Sequence, residues 1–182
     1  AQHDKEPAAV ARAIEEHYLP RHARDKLPAS APGRVLALAD RLDSLVGLFL
    51  SGEEPTGDKD PYGLRRAALG VIRILIEKKV DLDIVELVNH SADTYAAAGN
   101  PVSANAKKQC IAFVMERYRA LYAVLGFAQD EISAVLEAGA SRPLDFDQRL
   151  KALAKFRHRR DAASLAAANK RIRNILRKSE QS

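Results

Sequence analysis

Residues 57–75 read GDKDPYGLRRAALGVIRIL: a turn rich in Gly and Asp, a proline, two adjacent arginines and then an apolar run. How this stretch is read decides between two kinds of protein. A phosphate-cradling loop of the Walker type needs two glycines five apart followed by Lys and Ser/Thr, all after a strand. Here the spacing differs, no strand precedes the loop, and acidic residues crowd SGEEPTGDKD (51–60). A helix start needs only a capping side chain and a compatible first turn. Asp60 supplies the N-cap and Pro61 the first helical position, so the stretch predicts a helix running to about Lys79.

On a helical wheel at about 100° per residue, Arg66, Arg73 and Glu77 share one side, a normal solvent face. Arg65 stands apart from them, among the directions of Leu69, Ile72 and Ile76. A guanidinium aimed at an apolar face is costly unless a carboxylate pairs with it. The preceding helix offers Asp40 and Asp43, neighbours on one face. The expectation is therefore an ion pair from Arg65 to one of them, with Arg65, Asp40, Asp43, Asp60 and Pro61 all structural.

Outward from this helix the apolar spacing is helical throughout, with no convincing two-residue alternation, so the chain is expected to be all-α. Pro7 opens a helix ending near Tyr18, and a second spans about 32 to 50, closed by Gly52. LDIVELVNHSADTYAAAG (82–99) is a fourth, ending at the Gly99-Asn100-Pro101 break. Ser103 caps a long helix whose Ile111, Val114, Tyr118, Leu121 and Leu125 form one stripe. Shorter helices are expected at about 130 to 138, 146 to 160 and 162 to 178. The candidate boundaries are the break at 99–101 and the turn at 141–144, dividing the chain into 1–98, 99–141 and 142–182.

With 182 residues, 47% apolar and 29% charged, the chain has ordinary globular composition. No apolar run is long enough to cross a bilayer and the start AQHDKEPAAV is not a signal peptide, so a cytoplasmic protein with no membrane partner is expected. The chain opens without methionine and stops just after a basic stretch, which suggests a piece of a longer protein. The single cysteine, Cys110, lies between apolar residues at helical spacing and reads as buried packing.

The net charge of +5 hides a division: residues 142–182 carry twelve Lys/Arg against four Asp/Glu, while the rest of the chain is slightly acidic. Concentration of positive charge is the footprint of a polyanion, usually nucleic acid, although a solvated basic face is the common alternative. In DAASLAAANKRIRNILRKS (161–179), Leu165, Ile172, Ile175 and Leu176 point one way and Lys170, Arg171, Arg173, Arg177 and Lys178 spread over the other. The apolar side lacks bulky aromatics and is expected to be used in packing, which argues against membrane binding.

Catalysis is not visible in the residues. There is no cysteine pair, nucleophile motif or glycine-rich dinucleotide loop. His3-Asp4 with Asp40 and Asp43 resemble the histidine-aspartate pairs of HD phosphohydrolases, but the upstream histidine is not in this chain. His17 and His22 are five apart, which does not put two ligands on one helical face. Structural or surface histidines are favoured over a metal site, since a catalytic site needs its whole ligand set.

Five ordered blocks, HYLPRHARDKLP (17–28), ALADRLDSLVGLF (37–49), PTGDKDPYGLRRAALGVIRILIEK (55–78), SRPLDFDQRLKALAKF (141–156) and LAAANKRIRNIL (165–176), resemble the beta subunits of bacterial heterotetrameric glycyl-tRNA synthetases. The resemblance implies that the first part is the later portion of an HD-like helical domain. Connecting helices then lead to residues 142–182 as the start of a truncated DALR-type anticodon-binding domain. It also implies that glycine and ATP chemistry belongs to the alpha subunit of an alpha2-beta2 tetramer, with no catalytic residue, cofactor or metal in this fragment and with glycine tRNA as partner. Lys170, Arg171, Arg173, Arg177 and Lys178 are then candidate tRNA backbone contacts, with Arg66 and Lys59 weaker ones. The alternatives are an HD-type metal-dependent phosphohydrolase or a purely structural helical module.

Overall fold

The computed structural model describes residues 6–53, 55 and 60–179, apart from the side chains at 163, 170, 173 and 177–179. Among these residues there are eight α-helices and no strand, as the helical apolar spacing predicts. They are α1 (Ala8–Glu16), α2 (Ala31–Leu50), α3 (Leu64–Glu77), α4 (Ile84–Ala97), α5 (Ala104–Val124), α6 (Gln129–Glu137), α7 (Pro143–Arg157) and α8 (Ala162–Ser179). None of the described helices is long and apolar enough to cross a membrane.

Three helix starts are fixed by a capping side chain. The Ser30 hydroxyl accepts from the Gly33 amide, Asp83 accepts from Val85 and Glu86, and Ser103 accepts from Ala106. The start of α3 differs from expectation. Pro61 is not its first helical residue; the helix begins at Leu64, because Gly63 sits in the left-handed region (φ 68°) and interrupts it. Asp60 nevertheless caps it from a distance, its two carboxylate oxygens accepting from the amides of Leu64 (2.7 Å) and Arg65 (3.0 Å).

Four helix ends, those of α2 to α5, follow one device. After α2 the Gly52 amide donates to Phe49 and the Glu53 amide to Leu48, with Gly52 at φ 78°. The same paired bonds close α4 at Gly99 and α5 at Gly126. At the end of α3 the left-handed position is held by Lys79 (φ 54°), whose amide donates to Ile76 while that of Val80 donates to Leu75. A side chain there costs roughly 1–2 kcal/mol relative to a relaxed backbone. Lys79→Gly is accordingly expected to raise stability by about 1 kcal/mol, read as a higher denaturation midpoint; an unchanged or lower midpoint would show that the Lys79 conformation carries no strain.

The core is continuous from α2 to α7. Leu45, Leu64, Ile72, Ile84, Tyr118 and Phe146 are fully buried in one apolar cluster, which runs past both candidate boundaries. Across the second, the Ile84 amide donates to the Ser141 carbonyl (3.1 Å), the Ser141 hydroxyl donates to Asp83, and Arg142 pairs with Asp81 (3.2 Å). Cys110 is buried as expected, and burial pushes its thiol up to about 12. The α5 stripe holds at Val114 and Tyr118, but Leu125 is exposed because the helix ends at Val124.

The buried guanidinium of this fold is Arg41. Arg65 is half-buried, Asp40 and Asp43 are exposed, and among the described residues neither carboxylate bonds Arg65. Arg41, on α2, donates to the carbonyls of His17 (2.8 Å), Ala37 (2.9 Å), Tyr18 (3.1 Å) and Pro20 (3.0 Å). Its stem crosses α3 at Gly70, where a Cβ would stand 2.7 Å from Arg41 Nε. Four carbonyl dipoles thus meet the charge that a carboxylate was expected to meet. They tie the turn after α1 to both α2 and α3. Arg73 does the same from α3, donating to the carbonyls of Ala23 (2.8 Å) and Asp25 (3.1 Å) while pairing with Glu77.

Glu16 joins α1 to α2. Its Oε2 accepts from the Ser30 amide (2.8 Å) and hydroxyl (2.6 Å), and its Oε1 from Arg12 (2.9 Å). Gly33 leaves room for this carboxylate, which a Cβ at that position would meet. The Ser30 hydroxyl bond chiefly, reinforced by the Ser30 amide and Arg12 against the opposing effect of burial, lowers the Glu16 carboxyl to about 2. A depressed folded value means that the contribution is present above the unfolded value, about 4.3, and is lost as pH falls toward 2. Glu16→Gln is expected to flatten this part of the stability profile, measured as melting temperature between pH 5 and about 2. Parallel profiles for the variant and the parent would show that Glu16 does not carry it.

Candidate nucleic-acid interface

The basic C-terminal segment becomes two helices joined by a turn. The apolar pattern of α7 ends at Phe156, and Arg159, Arg160 and Asp161 form the turn into α8, where the Ala162 amide donates to Arg159 (3.1 Å) and that of Leu165 to Asp161 (3.1 Å). Several of the cations on α7 are already engaged. Arg149 pairs with Asp145 (2.8 Å), Lys151 with Asp147 (2.7 Å), and Arg157 reaches back to α6 to pair with Asp130 (3.0 Å) and Glu131 (3.4 Å). The hydrogen bond from Arg157 holds the Asp130 carboxyl below the usual carboxylate range.

Subtracting these pairs leaves a specific surface. Lys155, Arg159 and Arg160 at the junction, and Arg171 further along α8, are exposed and have no ion pair with another described residue. Exposed cations without carboxylate partners are free to neutralise phosphates, whereas a paired cation must first give up its partner. The sequence reading named Arg171 but passed over Lys155, Arg159 and Arg160. The signal was the run FRHRRD (156–161), which straddles a helix break and so shows no amphipathic pattern.

Of the other candidates, Lys170, Arg173, Arg177 and Lys178 lie on the backbone of α8, and their side chains fall outside the described set. Lys59, His3 and Asp4 also fall outside the described residues. Arg66 is exposed on α3, a different element, where it lines a cleft with Arg65 and Arg73. The wheel sets Arg65 roughly a quarter-turn from Arg66 and Arg73. Long side chains converge where their Cα directions diverge, and all three border the same cleft.

The apolar face of α8 corrects the expectation that packing covers it. Leu165, Ile172, Ile175 and Leu176 are each more than half exposed. Among the described side chains of α8, Ala162 at the helix start is the buried one, and α8 meets α7 near this junction. The pattern was read correctly; what it packs against is not supplied by the described residues.

Among the described residues no group of three or more His, Cys, Asp or Glu side chains is placed to hold a metal ion. Asp43 is exposed, and it is its carbonyl that accepts from the Tyr95 hydroxyl (3.2 Å).

A family model described as the glycyl-tRNA synthetase beta subunit matches residues 1–137. The chain belongs to that family. Three relatives bear the name glycine–tRNA ligase beta subunit. The one from Pectobacterium carotovorum is 49% identical over 179 residues and the one from Coxiella burnetii, strain Dugway, 47% over 178, each alignment covering 98% of this chain. The Citrobacter koseri relative is 46% identical over 181 residues, covering all of it. The chain spans about a quarter of their length, 26% in each case. The synthetase beta-subunit family model stops at 137, before α7, yet these relatives align over the basic segment too. The exposed cations at the α7–α8 junction therefore stand in a part of the chain that the alignment to the Citrobacter koseri relative covers.

Proposed function

We propose that this chain is a tRNA-holding, non-catalytic region of a glycine–tRNA ligase beta subunit. Its role is to support the ATP-dependent attachment of glycine to tRNA. The observation that carries the reading is the exposed, unpaired basic surface of Lys155, Arg159, Arg160 and Arg171 on a chain that belongs to this family. On this reading α1 to α4 are the later part of an HD-like domain, and α7 with α8 opens the anticodon-binding domain. Glycine, ATP and the catalytic residues belong to the alpha subunit of an alpha2-beta2 assembly in the cytoplasm. The cations of α7 and α8 then supply phosphate neutralisation and orientation, while base reading falls to single-stranded nucleotides met elsewhere.

The test is binding to glycine tRNA and to an unrelated tRNA across a salt series. For the Arg159→Ala, Arg160→Ala, Arg171→Ala triple variant, affinity is expected to fall for both RNAs. The slope of log affinity against log salt should become shallower by about two to three. A slope unchanged by the triple substitution would remove the tRNA path from this surface.

A further inference from the structure

A second cationic site lies away from α7 and α8, in the angle between the turn after α1, the start of α3 and the middle of α5. Arg65, Arg66 and Arg73 from α3, Arg117 from α5 and His22 from the turn border a cleft of about 160 Å³. No acidic side chain lines it among the described residues. Two carboxylates whose charges act on Arg117 have other work. Both oxygens of Asp60 accept backbone amides at the start of α3, and Glu116 pairs with Arg119 on the outer side of α5 (3.1 Å).

The cations play different parts. Arg73 is structural: its bonds to Glu77 and to the carbonyls of Ala23 and Asp25 hold the turn that forms one wall. Arg117 is braced, its guanidinium lying 5.0 Å from the centre of the Phe113 ring and its Nε donating to the Phe113 carbonyl (3.4 Å). The terminal nitrogens of that fork have no acceptor among the described residues. Arg66 is exposed at the rim with no described acceptor. Burial holds the Arg117 guanidinium below its ordinary value, and the charge of Arg65 adds to the shift, with Glu116 and Asp60 acting the other way.

Arg66 and Arg117, bordering one cleft, repel one another, a cost that an anion between them would relieve. Guanidinium forks suit a tetrahedral oxyanion, since two parallel N–H donors match two of its oxygens. Pro20, Leu69 and Ala120 make the floor apolar. At about 30 Å³ per water molecule the cleft has room for on the order of five waters, the scale of one phosphate group with part of an attached sugar.

We propose that this cleft binds a single phosphate group, gripped by Arg66 and Arg117 over the wall that Arg73 holds. The phosphate of an RNA backbone and a free phosphate are the two sources of this chemistry. The RNA source rests on the tRNA reading above; the anion site itself does not. The experiment uses the full chain in two arms. In the first, inorganic phosphate is titrated while the arginine Nε–H signals are followed by NMR, with sulfate-free chloride at constant ionic strength as reference. Saturable shifts of the Arg66 and Arg117 signals at millimolar phosphate, absent for Arg159 and Arg160, are expected. Shifts that grow together for all four arginines without saturating would overturn the site.

In the second arm, tRNA binding is measured across salt for Arg66→Gln/Arg117→Gln beside Arg159→Gln/Arg160→Gln, with melting temperatures confirming that both variants fold. A cleft variant whose salt slope is shallower by about one to two assigns the phosphate to RNA. A parent slope in the cleft variant, with phosphate shifts present, assigns it to a free phosphate and leaves the tRNA reading to stand or fall on the junction variant. Arg66→Lys/Arg117→Lys, which keeps charge but loses the fork, is expected to recover less than half of the phosphate response. Full recovery would overturn the forked grip.

Discussion

Arg41→Met is expected to cost roughly 3–5 kcal/mol of folding stability, a large part of what a domain this size possesses. The substitution keeps the length and apolar character of the stem but removes the donors that meet the carbonyls of His17, Ala37, Tyr18 and Pro20. A hydrogen bond to a charged donor contributes about 1.5–3 kcal/mol when lost singly, and these four share one guanidinium and do not add in full. Arg41→Lys is expected to recover only a minor part, because the donors on one ammonium nitrogen cannot reach all the carbonyls met by two separate guanidinium nitrogens. The measurement is the midpoint of chemical denaturation. A loss below about 1 kcal/mol would mean that water replaces the guanidinium at no cost and that the turn is held by other contacts.

Gly70 provides an internal check. A Cβ there would stand 2.7 Å from Arg41 Nε and 3.1 Å from its Cδ, and that side chain is pinned by four bonds and has no easy retreat. Gly70→Ala is expected to cost about 1–3 kcal/mol in the parent and much less in the Arg41→Met background, where the stem can move. Equal costs in both backgrounds would show that the glycine is needed for some other reason. Because the turn held by Arg41 contributes Pro20 and His22 to the arginine cleft, Arg41→Met is also expected to weaken the phosphate response there.

Phe146→Ala is expected to cost about 3–5 kcal/mol and to lower a single cooperative transition. Phe146 is fully buried on α7, stacked on Tyr118 (centroids 4.0 Å apart) and near Tyr122 (5.4 Å) of α5. Beside it the Tyr122 hydroxyl donates to Asp147 (2.9 Å), whose other oxygen accepts from Lys151 (2.7 Å). If α7 shares one cooperative core with α2 to α6, probes of α3 and of α7 report the same lowered midpoint. Two separated transitions, with the α3 probe unmoved, would place α7 in a unit of its own. The outcome bears on where the body ends and the basic segment begins.

Helix number, type and most boundaries were legible because they depend on near neighbours in the chain. Ser30, Asp83 and Ser103 cap amides two or three residues away, and Gly52, Gly99 and Gly126 end helices through their own backbone freedom. The start of α3 was misjudged by three residues since two local devices competed: Asp60-Pro61 offers a helix start, and the left-handed Gly63 postpones it. The buried arginine was placed on the wrong helix for a different reason. A wheel shows which way Arg65 leaves its own axis, but not that Gly70 opens a passage for Arg41 or that carbonyls of the 17–20 turn wait at its end.

The candidate site divides in the same way. The amino-acid sequence alone determined an all-α chain, the Ser103 cap of its long helix, its one inert cysteine, its concentration of positive charge after residue 141 and, through five ordered blocks, its family. All of these are properties of composition, of local spacing or of order along the chain. Only the tertiary structure decided which cations are spent and which are free. Arg149, Lys151 and Arg157 are engaged by carboxylates on their own or a neighbouring helix, while Lys155, Arg159 and Arg160 are not. Only the tertiary structure also gathered Arg65 and Arg117, far apart in sequence, around one cleft. Charge is carried by each residue separately, but pairing and convergence depend on three-dimensional distance, which spacing along one helix cannot supply.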